Sequence, residues 1–213
     1  SSACVRSVTA TYNRAMSDTT DDAKRALRAE LRERRQLLSA HAVESAGEQL
    51  HARLDELVGR GDISAISCFL STPFEPETRA FVEGAVARGI RVLLPVTRAD
   101  GLLDWAVATE DGDIAEGLFG LPEPVGELLG PIAVNDVDLM IVPAAAVDRT
   151  GMRLGWGRGY FDKTIGSMEG CPPVYAVVYD TEVLEEVPSE LHDQPVTGAV
   201  TPTRILEFAP PAA

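Results

Sequence analysis

A glycine-rich run at residues 148–163 follows an apolar stretch of strand length at residues 138–143. The run reads D-R-T-G-M-R-L-G-W-G-R-G-Y-F-D-K and includes Gly155, Gly157 and Gly159. Glycine permits positive φ and lets a ligand approach the main chain closely. In open α/β folds, ligand sites collect where a strand ends and a loop leads into a helix. The run therefore predicts a binding loop at the carboxyl edge of an α/β sheet.

The same run contains groups that suit a phosphate. Backbone N–H groups beside a helix start attract phosphate oxygens, and Arg153 and Arg158 add donors that can fork onto a phosphate. Two common phosphate motifs are excluded, because G-x-G-x-x-G needs glycine at Tyr160 and the P-loop needs glycine at Asp162. A flexible connection without a ligand is the alternative, but loops that combine arginines, aromatic residues and dense glycine more often bind ligands.

Strand-length apolar runs alternate with helical patterns along the rest of the chain. The predicted strands lie at residues 63–70, 90–96, 138–142, 174–178 and 196–200, with an edge strand or hairpin at 101–108. The predicted helices lie at residues 21–38, 40–58 and 77–88, with another beginning near residue 160. We therefore expect a three-layer α/β/α fold with a mostly parallel sheet and an N-terminal helical hairpin.

The length and composition suit one domain. A chain of 213 residues with 45% hydrophobic residues can bury a sizeable core. We expect a single α/β domain at residues 21–208, a disordered segment at residues 1–20 and a tail at residues 209–213. We also expect a monomer.

Charge and cysteine content exclude several classes of partner. A formal net charge of −14 disfavours nucleic-acid binding by bulk electrostatics. No apolar run approaches the roughly 20 residues of a membrane span. The three cysteines have no metal-ligand spacing, and their odd number argues against a disulfide framework. We therefore expect a cytoplasmic protein that binds neither nucleic acid nor a membrane.

The first predicted helix concentrates positive charge. Six of the chain's 19 basic residues lie within twelve positions: Lys24, Arg25, Arg28, Arg32, Arg34 and Arg35. Lys24 and Arg28 are four residues apart and share one helix face. Such a charge run is usually a solvated face, and a phosphate-binding surface is the alternative.

The glycine-rich run also resembles the signature of a known family, the 5-formyltetrahydrofolate cyclo-ligases, or methenyltetrahydrofolate synthetases. The residues that carry the resemblance are Val142, Pro143, Asp148, Gly151 and the run R-L-G-W-G-R-G-Y-F-D at 153–162. It extends from about Lys24 to Arg204. The departures keep size or apolarity: Trp156 and Phe161 where the family often has tyrosine, and Val147 where it usually has phenylalanine.

The resemblance implies an ATP-dependent ligase that forms a cyclic C–N bond. Its members cyclise 5-formyltetrahydrofolate to 5,10-methenyltetrahydrofolate with ATP as co-substrate and Mg²⁺ as cofactor, releasing ADP and phosphate. Phosphorylation of the formyl oxygen creates a leaving group, and N10 of the substrate then attacks the formyl carbon. No protein nucleophile is needed, and the sequence contains no Ser-His-Asp or Cys-His signature. Phosphoryl transfer depends mostly on positioning and charge neutralisation.

The resemblance also implies site residues. Those for ATP are Lys24, Arg25, Ala26, Leu27, Arg28, Arg153, Leu154, Gly155, Trp156, Gly157, Arg158, Gly159, Tyr160 and Phe161. Those for the folate are Leu70, Glu75, Trp156, Gly157, Arg158, Gly159 and Tyr160. Those for Mg²⁺ are Asp162 and Asp193, and carboxylates that act together with substrate phosphates suit this ion.

Three glutamates have different expected roles. Glu75 matches the family glutamate that fixes the polar end of the folate, whereas Glu77 does not match it and is expected to be a helix-entry acid. The segment at residues 117–124 resembles an element that borders the family's active site, but no chemical role for Glu123 follows from spacing.

Two other functions stay open at this point. One is a catalytically inactive nucleotide-binding or regulatory protein, and the other is a sugar-phosphate enzyme on a similar sheet, because fold does not determine function. The presence of both Asp162 and Glu75 argues against the first. A sugar-phosphate enzyme would not need a basic N-terminal helix in addition to the loop.

Overall fold

The computed structural model describes residues 2–168, 170–190 and 193–209, with backbone only for residues 2–18. The helices are α1 (Ser2–Gln36), α2 (Ala40–Val58), α3 (Arg79–Ala87) and α4 (Tyr160–Ser167). The strands are β1 (Ala65–Ser67), β2 (Arg91–Thr97), β3 (Leu103–Val107), β4 (Ile114–Glu116), β5 (Pro122–Pro124), β6 (Leu139–Pro143), β7 (Ala146–Asp148), β8 (Arg153–Leu154), β9 (Val174–Val177), β10 (Val183–Leu184), β11 (Gly198–Val200) and β12 (Ile205–Glu207).

A seven-stranded sheet forms the centre of the molecule, in the order β12-β11-β9-β6-β1-β2-β3. Its five inner strands pair in parallel, and β12 and β3 pair antiparallel at the two edges. Helix α3 connects β1 to the parallel strand β2, which is the predicted strand–helix–strand unit. The predicted α/β class with a mostly parallel sheet is confirmed.

Both faces of this sheet are covered, which is why its inner strands are largely apolar. Four of the five residues of β6 are buried, as expected of a parallel strand between two layers. Helices α2 and α3 pack on one face through residues such as Leu54 and Phe81. Helix α4 and the turn at Pro131–Asp136 pack on the other face.

Helix α1 packs beside the main sheet rather than on one of its faces. Its Leu31 is fully buried in a separate apolar cluster with Ala145, Ala146, Leu154 and Val187. Three of these residues flank or belong to β7 and β8, which with β10 form a small second sheet. Because β7 follows β6 directly, this packing holds α1 at the carboxyl edge of the main sheet.

Some element boundaries differ from the sequence predictions. Helix α1 begins at Ser2 and ends at Gln36, not near residues 21 and 38. The stretch before residue 47 contains no glycine or proline that would stop a helix. Strand β1 is shorter than predicted, and α3 starts at Arg79 because Thr78 occupies its N-cap position.

The predicted division into residues 1–20, 21–208 and 209–213 stays a prediction. Residues 1 and 210–213 of its end segments lie outside the described residues. Although α1 has 35 residues, no helix in the described part of the chain is both long and apolar enough to cross a membrane.

Candidate functional site

A cavity of about 340 Å³ opens at the carboxyl edge of the main sheet. This volume is within the range of pockets that hold small molecules. Ten of the residues predicted to bind ATP, folate or metal line it: Leu70, Glu75, Arg153, Gly155, Trp156, Arg158, Gly159, Tyr160, Phe161 and Asp162. The others lie outside its wall: Lys24, Arg25, Ala26, Leu27, Arg28, Leu154, Gly157 and Asp193. The glycine-rich loop and the loop after β1 therefore face one shared space.

The conformation of the glycine-rich loop depends on its glycines. Gly157 has φ +96° and Gly159 has φ +71°, both in the left-handed region. Gly159 is the N-cap residue of α4. A Cβ on Gly157 would lie 3.4 Å from the guanidinium carbon of Arg28. That distance is an ordinary van der Waals contact, so the positive φ is what favours glycine at this position.

Asp148 shapes the turn that precedes this loop. Its buried carboxylate accepts hydrogen bonds from the N–H of Thr150 at 2.8 Å and of Met152 at 3.1 Å. Its other oxygen accepts from the Val187 N–H at 3.1 Å. Asp148 therefore fixes the strand-to-loop connection and ties it to the segment before residue 188.

Arg153 bridges the sheet edge and the start of α4. Its Nη2 donates to Asp162 Oδ1 at 2.7 Å, and its Nη1 donates to the Pro143 carbonyl at 3.0 Å. The buried Nε has no hydrogen-bond partner among the described residues. An unpaired buried donor costs about 1–3 kcal/mol. Arg153 is thus held at both Nη atoms, and its buried Nε–H is left unpaired among the described residues.

Two arginines of α1 lie over the Trp156 ring. The guanidinium carbons of Arg32 and Arg35 lie 5.4 and 4.8 Å from its ring centroid. Both distances are within the range of cation–π attraction. The indole therefore forms a fixed aromatic surface on the cavity wall.

Lys24 and Arg28 connect α1 to the loops around the site. Lys24 Nζ donates to Asp193 Oδ2 at 2.7 Å and to Glu190 Oε2 at 3.0 Å, and only 5% of the residue is exposed. Burial lowers the pKa of Lys24, but these two carboxylates outweigh it, so the pKa lies above its ordinary value. Arg28 Nε donates to the Gly155 carbonyl at 2.7 Å. The alternative of a solvated face is therefore contradicted for Lys24, while Arg28 is partly buried and bonded to the glycine-rich loop.

Glu75 and Glu77 differ in their surroundings. Glu75 lines the cavity, and its Oε2 accepts from the Thr72 N–H at 2.9 Å. Glu77 accepts from the N–H groups of Arg79 and Ala80, which belong to the first turn of α3. Glu77 is thus a helix-start acid, as expected, while Glu75 faces the proposed ligand space.

Glu123 has a structural environment that the sequence did not reveal. It is 8% exposed and lines the cavity, and its Oε1 accepts from the Thr97 N–H at 2.8 Å and from the Thr97 hydroxyl. A Cβ on Gly117 would lie only 2.0 Å from Glu123 Cδ. The turn at Leu118–Gly120 places the centroid of the Phe119 ring 3.6 Å from the guanidinium carbon of Arg158. Glu123 thus anchors a turn that reaches the glycine-rich loop.

The two predicted metal ligands occupy different positions. Asp162 lines the cavity, and only its Oδ1 is hydrogen-bonded in the described structure. Asp193 is paired with Lys24 and does not line the cavity. No group of three or more Asp, Glu, His or Cys residues within the described ranges could hold a metal ion. Mg²⁺ needs few carboxylates when substrate phosphates supply oxygens. Asp162 therefore fits such a site, and direct ligation by Asp193 stays a prediction.

Arg35, Glu182 and Tyr179 were not recognised from the sequence as site residues. Arg35 is 4% exposed and pairs with Glu182, which is 3% exposed. The sequence does contain one indication for Arg35, its position along α1. Arg35 lies four residues after Leu31, on the same helix face as Lys24 and Arg28. Helical spacing could thus have separated the inward basic residues from the outward ones.

Sequence comparison identifies similar proteins over most of the chain. A sequence model of the 5-formyltetrahydrofolate cyclo-ligase family matches residues 20–202. The 5-formyltetrahydrofolate cyclo-ligase of Mycolicibacterium smegmatis is 34% identical over 186 residues, covering 85% of this chain and 94% of that protein. The enzyme of the same name from Escherichia coli is 27% identical, covering 84% of this chain and 100% of that protein.

Structural comparison agrees on the fold. The 5,10-methenyltetrahydrofolate synthetase of Aquifex aeolicus superposes with a TM-score of 0.75 at 24% identity, covering 90% of this chain and 95% of that chain. The synthetase of Mycoplasma pneumoniae superposes with a TM-score of 0.67 at 18% identity, covering 84% of this chain and 98% of that chain.

Substitution of Gly157 tests the loop geometry. Gly157→Ala should lower the free energy of unfolding by about 1–2 kcal/mol, because a Cβ is strained at positive φ. Gly130→Ala is the control, since Gly130 has φ −66° and open space at its Cβ position. Thermal denaturation of both variants measures the difference. Equal melting temperatures would contradict the described loop conformation.

Proposed function

Because the chain belongs to the 5-formyltetrahydrofolate cyclo-ligase family, we propose that its cavity performs the ATP- and Mg²⁺-dependent cyclisation of 5-formyltetrahydrofolate. The products are 5,10-methenyltetrahydrofolate, ADP and phosphate. One observation supports this most directly. The carboxylate of Glu75 and the glycine-rich loop with Arg153 and Asp162 line the same cavity. A folate group and a transferring phosphoryl group could therefore meet there.

The chemistry requires activation of a poor leaving group. The formyl oxygen attacks the γ-phosphorus of ATP, the bond to the bridging oxygen breaks, and ADP leaves. The formyl carbon is now electrophilic, and N10 of the folate attacks it. Phosphate departs with the former formyl oxygen, and N10 loses its proton. Each step needs orientation and charge neutralisation rather than a protein nucleophile.

The glycine-rich loop and the basic residues around it would bind the phosphates. The backbone N–H groups at Gly155, Gly157 and Gly159 can approach the transferring group closely. Arg153 is fixed by Pro143 and Asp162, so its guanidinium is preorganised. Lys24 and Arg28 lie outside the cavity wall. Their proposed phosphate contacts therefore require the ATP to extend from the cavity towards α1.

Leu70, Glu75, Trp156 and Tyr160 would hold the folate. The Tyr160 hydroxyl donates to the Arg98 carbonyl at 3.1 Å, so the tyrosine ring is held in place. Trp156 offers an aromatic face for stacking. Glu75 would accept hydrogen bonds from the polar end of the folate. Asp162 would hold Mg²⁺, which neutralises phosphate charge when bound.

The other two functions have less support from the cavity. Its walls include Phe69, Leu70, Phe74, Leu103 and Trp156, an apolar and aromatic surface larger than a sugar phosphate needs. An inactive regulatory protein would not require Glu75 and Asp162 beside the same cavity. The monomeric state and the cytoplasmic location remain predictions.

A purified-enzyme assay tests this function. Methenyl product should form only when ATP, a divalent metal ion and 5-formyltetrahydrofolate are all present, with one phosphate released per methenyl group. Omission of each component in turn is the control. Product without ATP hydrolysis, or no product from the complete mixture, would contradict the proposal.

Glutamine substitutions at Glu75 and Glu77 test the folate contact. Glu75→Gln replaces one acceptor by a donor, and a buried mismatch costs about 1–3 kcal/mol. We expect on the order of a tenfold to hundredfold rise in the folate KM or fall in kcat, with ATP affinity nearly unchanged.

Glu77→Gln is the matched control, because Glu77 contacts only the first turn of α3 among its described hydrogen bonds. It should lower stability by about 0.3–1 kcal/mol and leave folate kinetics alone. Equal kinetic effects from the two substitutions, or none from Glu75→Gln, would show that the folate contact is assigned wrongly.

A further inference from the structure

Helix α1 ends on a buried ion pair to which the proposed reaction gives no role. Arg35 Nε donates to Glu182 Oε1 at 2.6 Å, and Arg35 Nη2 donates to Glu182 Oε2 at 2.8 Å. The side chains are 1% and 4% exposed. Glu182 Oε2 also accepts from the Tyr179 N–H at 2.8 Å. Two parallel hydrogen bonds fix the plane of the guanidinium, which a lysine ammonium could not do.

The same guanidinium contacts three parts of the cavity framework. Nη2 donates to the Ala144 carbonyl at 2.9 Å, just after β6. Nη1 lies 3.5 Å from the carbonyl of Phe74, the residue before Glu75. The guanidinium carbon is 4.8 Å from the Trp156 ring centroid. Arg35 therefore links the proposed folate loop to the glycine-rich loop.

Arg35 also separates two spaces. It lines the cavity, and together with Glu182 and Tyr179 it lines a second, open groove of about 410 Å³ between the end of α1 and the start of α2. Arg35 is therefore part of the wall shared by the groove and the cavity, and a shorter side chain at position 35 would thin this wall.

Stability alone does not account for this pair. Burying two charges is costly, and apolar replacements of buried ion pairs are often neutral or stabilising. Arg35 instead contacts Trp156 and the carbonyl of Phe74, next to Glu75, which are parts of the site that must be oriented for the reaction. A water molecule that entered there could also attack the phosphorylated formyl group.

We propose that Arg35 and Glu182 form a positioning pair that orients Trp156 and the loop before Glu75 and closes the cavity against the open groove. The pair touches no reacting atom. Without this closure, water cleaves the activated intermediate, which restores the formyl group and releases phosphate. The net reaction is then hydrolysis of ATP to ADP and phosphate. This proposal rests on the proposed function, the ATP-dependent cyclisation of 5-formyltetrahydrofolate.

Two variants separate positioning from folding. Arg35→Lys keeps the charge but loses the planar fork. The double variant Arg35→Met with Glu182→Leu removes the whole pair, so that no unpaired charge stays buried. Arg34→Lys is the control, because Arg34 is the next residue, its side chain is 56% exposed, and it pairs with Glu30 on the same helix.

Kinetics give the first measurement, with the ratio of phosphate released to methenyl product formed as the main readout. Wild type and Arg34→Lys should give a ratio near one. Arg35→Lys and the double variant should give a ratio clearly above one and a folate KM raised on the order of tenfold or more. If these variants change the melting temperature but leave the phosphate-to-methenyl ratio and the folate KM unchanged, the pair has only a structural role and the proposal is overturned.

Tryptophan quenching gives a second readout that does not depend on the reaction. The chain has two tryptophans, and Trp105 is fully buried, so acrylamide quenching reports mainly Trp156. Arg35→Lys should raise the quenching constant of the ligand-free protein about twofold, and Arg34→Lys should not. If wild type forms no methenyl product, the proposed function fails, while unchanged quenching in Arg35→Lys overturns the positioning role by itself.

Discussion

The site depends on the packing of a basic helix against the carboxyl edge of a parallel sheet. Helix α1 presents Lys24, Arg28, Leu31 and Arg35 on its inward face, and three of these four residues carry charge. Charged groups that leave water must be paired or hydrogen-bonded. Lys24 pairs with Asp193 and Glu190, Arg28 with the Gly155 carbonyl, and Arg35 with Glu182. These pairs hold separate loops at one edge of the sheet.

This arrangement suits a reaction that depends on positioning. Phosphoryl transfer needs fixed cations and backbone donors more than a reactive side chain. Arg153 is hydrogen-bonded through both Nη atoms, and the guanidinium groups of two arginines lie over the Trp156 ring. The apolar cluster around Leu31 stabilises this arrangement, because it joins α1 to the strands that flank the glycine-rich loop. Packing and chemistry therefore share the same residues.

The sequence predicted the sheet because its strands are buried on both faces and stand out as apolar runs. It predicted the loop at residues 153–162 because glycines, arginines and a helix start occur together there. Only the family resemblance distinguished Glu75 from Glu77, and of these two residues the structure brings Glu75 to the cavity. The placement of ten of the predicted site residues at the cavity could thus be anticipated, although their roles stay predictions.

Contacts between residues distant in sequence could not be predicted in this way. Arg35 and Glu182 are 147 positions apart, so nothing near Arg35 indicates its partner. The Glu123–Thr97 contact and the Phe119–Arg158 stack also depend on how loops meet after folding. The helix start at Ser2 was missed because serine and threonine weaken a helix without ending it.

The central claim is that the cavity activates the formyl oxygen by phosphorylation without a protein nucleophile. The most direct measurement follows oxygen-18 placed in the formyl group of 5-formyltetrahydrofolate. After turnover with unlabelled ATP in unlabelled water, the account predicts that the released phosphate contains the label. Unlabelled phosphate together with labelled water, or a phosphorylated protein intermediate, would contradict it.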